Sequence, residues 1–287
     1  SSVPLGPAAA AERIRLLREL AEVQAGSPLV HLAVDGSVVA QVVSGWTGIP
    51  AGRMLRDDVK TVLVLREELS RRIKGQPEAL EAVARRMRAW RADLADPVKP
   101  AGVFLFAGPS GVGKTETAHA LADQLFGGEH NRVVINMSEY QEAHSVSGLK
   151  GAPPGYVGFG QGGALTEAVR RTPYSVVLLD EAEKAHPDVL ELFYQVFDKG
   201  VMEDGEGRIV DFRNTVIILT TNLGAETIEE ACRTPLRPLA EEMAARIRPE
   251  LSAHFRPAFL GRLDIVPFYP LGRDDLASIA EIGRAHV

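Results

Sequence analysis

The sequence predicts an α/β fold in which helices cover both faces of a parallel sheet, and three observations carry the expectation. After Pro97, short β-rich runs alternate with helical segments. Two of those runs, Val103 to Ala107 (VFLFA) and Ser175 to Asp180 (SVVLLD), are almost continuously apolar, the pattern of strands sandwiched between helices. The first run leads directly into GPSGVGKT, a glycine-rich turn with the spacing of a phosphate loop, and then into a helical pattern.

Taken in order, Ala8 to Ala25 repeats apolar residues near helical spacing and stops at Gly26, so it reads as an amphipathic helix. Pro28 to Met54 loosens into a lead-in containing the turn Trp46 to Pro50. Two more helices are expected over Val59 to Ile73 and Pro77 to Ala92, with Pro77 suited to a first turn. The strands are Val103 to Ala107, Arg132 to Met137, Ser175 to Asp180 and Thr215 to Thr220, and a short one is expected over Ile265 to Phe268. Between the third and fourth, Pro187 to Asp198 sets Val189, Leu192, Phe193 and Val196 on one helical face, a core face. Leu236 to Phe255 is helical, and a last helix begins near Asp274.

Composition excludes several classes. The 287 residues are 45% hydrophobic and 24% charged, which rules out disordered and collagen-like chains. A net charge of -6 with no long basic run argues against nucleic acid as the main partner. The single cysteine, Cys232, excludes an internal disulfide and any multi-cysteine zinc site. No apolar run approaches the roughly 18 residues of a membrane span, and the opening residues lack the pattern of a signal peptide. The expected address is therefore the cytoplasm.

The chemistry concentrates at three strand ends. Gly108, Pro109, Ser110, Gly111, Val112, Gly113, Lys114 and Thr115 fit G-x-x-x-x-G-K-[ST] between a strand and a helix running to Phe126. Successive N–H groups would face an anion at the helix start, Lys114 would reach the β- and γ-phosphates, and the Thr115 hydroxyl would ligand Mg²⁺. The strand ending in Asp180 and Glu181 would neighbour this loop, with Asp180 in the magnesium shell and Glu181 polarising the attacking water. That pair points to hydrolysis rather than binding alone. Asn222, at the end of the following strand, would put an amide beside the γ-phosphate.

Together these elements resemble the AAA+ ATPases, and their wording is similar to the Clp/Hsp100 branch. The carrying stretches are GPSGVGKTETAHALADQLFGGE, the run from INMSEYQEAH through GYVGFGQGG to LLDEAEKAHPDVLELFYQVFDKG, DFRNTVIILTTNLG and HFRPAFLGRLD. The resemblance runs from about Trp46 to Pro270. It implies the second ATPase ring of a two-ring protein, a P-loop NTPase (AAA+) fold followed by the start of a truncated small helical domain. Within the branch, INMSEYQEAH and FDKGVMEDGEGR look more like ClpV, the ATPase of bacterial type VI secretion, than like the disaggregase ClpB, which stays the alternative.

The resemblance further implies ATP and Mg²⁺ as cofactors and a homohexamer in the full-length form. It implies an axial pore loop at Gly155, Tyr156, Val157 and Gly158, and a second at Glu203 to Arg208. Arg262 would be an arginine finger reaching the neighbouring subunit's γ-phosphate, and Ile73, Gly75 and Gln76 would lie near the adenine. The substrate would be polypeptide, for a ClpV-like protein the secretion sheath, in the bacterial cytoplasm, with no nucleic acid and no membrane span. No protease partner is expected, because no Ile-Gly-Leu or Ile-Gly-Phe tripeptide occurs between Gly224 and Pro249. Two departures stand out: Lys74 occupies a position usually hydrophobic in the family, and no second-sensor arginine motif follows. The expected division is a helical lead-in over 1–57, the large ATPase domain over 58–270 and the start of the small domain over 271–287. The final IGRAHV, 282–287, matches the translation of a common sequencing adaptor and is expected to be non-native.

Overall fold

A computed structural model describes residues 58–156, 159–160, 162–233 and 237–285, with positions 12, 15, 16, 34, 38, 39, 42 and 43 before them. The lead-in, including the helix expected over 8–25, falls almost wholly outside the described residues. The span expected as one helix is two, α1 (Asp58–Leu63) and α2 (Leu65–Arg72), because Val64 leaves helical geometry at φ -96°, ψ 4°. Val62, Leu65, Leu69 and Ile73 nevertheless all stay on the buried side. α3 (Pro77–Arg91) follows with its proline in the first turn.

Five parallel strands form the sheet: β1 (Gly102–Ala107), β2 (Arg132–Asn136), β3 (Val176–Asp180), β6 (Val216–Thr221) and β7 (Asp264–Pro267), in the order β2-β3-β6-β1-β7. The helices between them are α4 (Lys114–Phe126), α5 (Val146–Lys150), α6 (Ala164–Arg171) and α7 (Pro187–Lys199). A separate antiparallel hairpin pairs β4 (Val201–Glu203) with β5 (Ile209–Asp211). After β6 come α8 (Ala225–Ala231), α9 (Ala240–His254) and α10 (Pro257–Leu260), and α11 (Arg273–Ala285) follows β7. No helix among the described residues is long and apolar enough to cross a membrane.

Strand alternation builds two cores, one on each face. Leu105, Leu179, Ile217 and Leu219 point to one side, where they meet Phe193, Phe197 and Phe259. Phe104, Phe106, Leu178 and Ile218 point to the other, against Leu69, Leu80 and Leu121. A strand covered on both faces is apolar along most of its length, which is why β1, β3 and β6 read as hydrophobic runs until their carboxyl ends, where Asp180 closes β3 and the buried Thr220 and Thr221 close β6. The edge strand β2 alternates in burial rather than in sequence, with Val133 and Ile135 buried and Val134 exposed.

One expectation needs correction. The acidic strand β3 is not beside the phosphate-loop strand β1, because β6 pairs with both. The crossover after β3 returns the chain into the gap between them. The carboxylates therefore lie two strand spacings from β1, on the order of 10 Å, and the tip of β6 has to span the distance.

Candidate active site

The three functional turns leave the same edge of the sheet. In register, Ala107 of β1 pairs with Thr221 of β6, and Leu179 of β3 pairs with Leu219, so Asp180 ends its strand level with the points where Gly108 and Asn222 leave theirs. In an open parallel sheet, ligands bind at this carboxyl edge.

The turn after β1 is forced by close packing. Gly108 has φ 149°, and a Cβ there would lie 2.3 Å from the Phe268 carbonyl beyond β7, so only glycine fits. The chain then curls into the first turn of α4, with Lys114 buried. Its Nζ donates to the carbonyls of Gly108 (2.5 Å) and Pro109 (2.7 Å) and to Asn222 Oδ1 (2.9 Å). Burial pushes the Lys114 pKa down to about 8, against the attraction of Glu183 and Asp180. Ser110 Oγ also donates to Asn222 Oδ1, at 3.2 Å.

Thr220 bridges the gap that β6 opens. Its hydroxyl donates to Asp180 Oδ1 and accepts the Glu181 N–H at 3.0 Å. Glu181 itself is left-handed, with φ 57°, a conformation that costs a non-glycine residue of order 1–3 kcal/mol. This sharp turn ends β3 and starts a short 3₁₀ segment, Ala182–Lys184. Lys184 Nζ holds Glu181 Oε2 at 2.9 Å, and Glu183 Oε1 accepts the Asn222 N–H at 3.2 Å. The Thr115 hydroxyl is 3.5 Å from Asp180 Oδ1.

A pocket of about 420 Å³ collects Ser110, Gly111, Gly113, Lys114, Thr115, Asp180, Glu181 and Asn222, together with Glu116 and Thr220. Three side-chain roles are not legible in the sequence: that of Thr220 in the pocket and those of Glu183 and Lys184 behind it. Thr220 is an ordinary strand residue until the strand order is known, Glu183 looks like a solvated charge, and Lys184 looks like its partner. Of the remaining phosphate-loop residues, Gly108 and Pro109 serve through their carbonyls, and Val112 is buried under the loop.

The other expected site residues are distributed elsewhere. Ile73 is buried, with its Cγ2 3.6 Å from where a Gly113 Cβ would be. Gly75 lies against Leu271 and Asp275 at the start of α11. Gln76 is buried, and its amide is fully engaged: Nε2 donates to the carbonyls of Val112 (3.1 Å) and Tyr269 (2.7 Å), and Oε1 accepts the Tyr269 N–H (2.9 Å). It fastens the phosphate loop to the chain after β7. Arg262 does not line the pocket; it pairs with Asp198 at 2.7 and 2.8 Å and lies over the Tyr194 ring. Gly155 and Tyr156 lie on the loop between α5 and α6, with Tyr156 70% exposed. Val157 and Gly158 fall outside the described residues.

Comparison with known proteins agrees with this geometry. The family model described as AAA domain (Cdc48 subfamily) matches residues 99–266. The chain is 58% identical to the AAA+ ATPase ClpV1 of Pseudomonas aeruginosa over 94% of its length, and 52% identical to the chaperone protein ClpB of Yersinia enterocolitica over 93%. It spans 30% of the length of each of these relatives. A cryo-EM reconstruction of closed-state Hsp104 with ATPγS and FITC casein superposes with a TM-score of 0.77 at 34% identity, over 98% of this chain and 48% of that one. With a phosphate loop, an acidic strand end and an amide gathered at one sheet edge, and with relatives this similar over almost the whole chain, the chain belongs to the AAA+ ATPases of the Clp/Hsp100 branch, as a second-ring ATPase domain.

Proposed function

We propose that the chain hydrolyses ATP in this pocket and uses the turnover to draw polypeptide through the pore of a homohexameric remodelling motor. The observation that carries the reading is the meeting of Lys114, Asp180, Glu181 and Asn222 in one pocket, with Tyr156 exposed on a loop none of whose described residues lines it.

Each residue has a task its surroundings suit. Lys114 Nζ, satisfied by two loop carbonyls and Asn222, can exchange those neutral acceptors for the β- and γ-phosphate oxygens, which bind a cation more strongly. The first N–H groups of α4 face the same anion. Thr115 and Asp180 offer only oxygen, the donor set a hard cation prefers, so they would hold Mg²⁺. Bound there, the ion supplies charge neutralisation on the phosphate oxygens. Glu181 orients and deprotonates the attacking water once its carboxylate turns away from Lys184. Asn222, pinned through its backbone by Glu183, directs its amide toward the same site. Arg262 acts across a subunit boundary, where a fixed guanidinium stabilises the charge developing on a neighbour's phosphate. Tyr156, beside Gly155, offers a flat amphipathic ring that can contact a chain without reading its sequence.

The substrate reading is the contracted sheath of a type VI secretion system, supported by the wording INMSEYQEAH and FDKGVMEDGEGR and by the similarity to ClpV1. A ClpB-like disaggregase is the second reading, favoured by the nearly equal similarity to ClpB. Incubating the assembled protein and ATP with purified contracted sheaths, and separately with a heat-aggregated protein, decides between them. Shortened sheaths with untouched aggregates are expected; dissolved aggregates with intact sheaths would reverse the assignment.

A further inference from the structure

The loop that carries Tyr156 leaves and rejoins the body at one point, and the β4–β5 hairpin turn meets it there. The Lys150 carbonyl at the end of α5 accepts the Gly205 N–H of the hairpin turn at 2.9 Å and the Thr166 hydroxyl of α6 at 3.3 Å. A Cβ on Gly163 would sit 2.2 Å from the Leu149 carbonyl oxygen, and one on Gly205 would sit 2.5 Å from the carbonyl carbon of Gly151. Only glycine lets these backbones touch, so the base of the loop is closed, with the hairpin as one of its walls.

Asp204 holds that wall in place. Its side chain is buried and accepts from the backbone N–H groups of Glu206 (2.9 Å) and Arg208 (2.8 Å) and from Arg208 Nε (3.0 Å). The fourth donor comes from outside the turn: an Arg170 guanidinium nitrogen, on α6, lies 2.5 Å away. Burial alone would raise the Asp204 carboxyl, but these hydrogen bonds override it and hold it well below the usual carboxylate range. The charge is therefore present at any neutral pH.

We propose that Asp204 is a positioning residue for the Tyr156 loop, and that its pairing with Arg170 joins that loop and the β4–β5 hairpin into one block moved by α7. The drive train is short. α7 starts at Pro187, just past the Glu181 turn, and is 13 residues long, roughly 20 Å at 1.5 Å per residue. It passes through Gly200 directly into β4, whose last residue, Glu203, precedes Asp204. A displacement at the acidic pair thus reaches Asp204 through the short 3₁₀ turn Ala182–Lys184, one helix, Gly200 and one short strand. The functional consequence rests on the reading of Tyr156 as a polypeptide contact, but the coupling does not.

Hydrogen exchange on the assembled protein with ATPγS reads the coupling alone. Arg170→Gln removes the bridge while leaving the turn's own bonds to Glu206 and Arg208 intact, and Asp204→Asn removes the charge that gathers them. Faster exchange in both 201–211 and 150–163 is expected for each variant, with the double variant little worse than either single one, as for residues acting through one contact. A rise confined to 201–211, or one spread over all sheet strands with a lowered melting temperature, overturns the proposal. Arg170→Gln decides the matter if Asp204→Asn does not fold. Fluorescein-labelled casein then reads the consequence: Arg170→Gln should weaken its binding about tenfold, within the usual range of coupling between sites. If Tyr156→Ala binds casein as well as the unmodified protein does, the contact reading of Tyr156 fails, while the exchange result still decides the coupling.

Discussion

At the scale of single residues, the site depends on groups whose protonation and pairing are set by burial. Lys114 titrates near pH 8 in the nucleotide-free protein, and an anionic ligand favours its charged form. The bound pKa is therefore higher, so binding between pH 8 and 9 takes up a proton, and affinity falls as pH rises past about 8. Calorimetry in buffers of different ionisation heats measures the uptake; none at pH 8.5 would contradict this account. Lys114→Ala should abolish ATP binding, whereas Glu181→Gln should bind ATP without turning it over, because only the second keeps the phosphate cation while losing the base. Equal loss of binding in both would remove the division of roles. Gln76 belongs to a different category. Gln76→Leu strands three buried backbone groups and should cost about 2–4 kcal/mol in urea unfolding. The motif spacing made Lys114 and Thr115 legible, but nothing local shows that Gln76 bonds the backbone of a residue 193 positions away.

Among the elements, α7 connects most of what the site needs. Pro187 and the His186 cap start it, and Gly200 in the left-handed region stops it. The face expected from the sequence holds: Val189, Phe193 and Val196 are buried and Leu192 packs against the core, joined by Leu190 and Phe197. Its outer side carries Glu191, which pairs with Arg256, and Asp198, which pairs with Arg262. The apolar face holds the helix and the charged side aims the arginines, so two substitutions should separate. Phe193→Ala should cost about 3–5 kcal/mol, and Asp198→Ala, an exposed pair, less than about 1 kcal/mol. Urea midpoints check both; a comparable loss from Asp198→Ala would mean that the ion pair holds the helix. Long elements of this kind were legible because their periodicity is carried by many residues. β4 and β5, three residues each, carry too little pattern to be read, and the place of β6 between β1 and β3 is written in no local signal, since crossovers decide it.

For the whole molecule, the pocket and the exposed Tyr156 lie on separate parts of one frame. Tyr156 has no acid, base or phosphate ligand beside it in the sequence, and its ring is 70% exposed, on a loop none of whose described residues lines the pocket. If it were a core residue, Tyr156→Ala would empty a buried aromatic site, at a cost of about 3–5 kcal/mol, and hydrolysis would fall with the fold. An exposed ring predicts otherwise: a stability change within roughly 0.5 kcal/mol, or about 2 °C in melting temperature. Hydrolysis of ATP by the assembled protein should persist, because Lys114, Glu181 and Asn222 are untouched. What should vanish is work on polypeptide, read as loss of casein binding and of ATP-dependent unfolding of a tagged fluorescent protein. A melting curve and a hydrolysis assay on the same variant separate the outcomes, and a sharp fall in both would make Tyr156 a structural residue and take the threading function away from this loop.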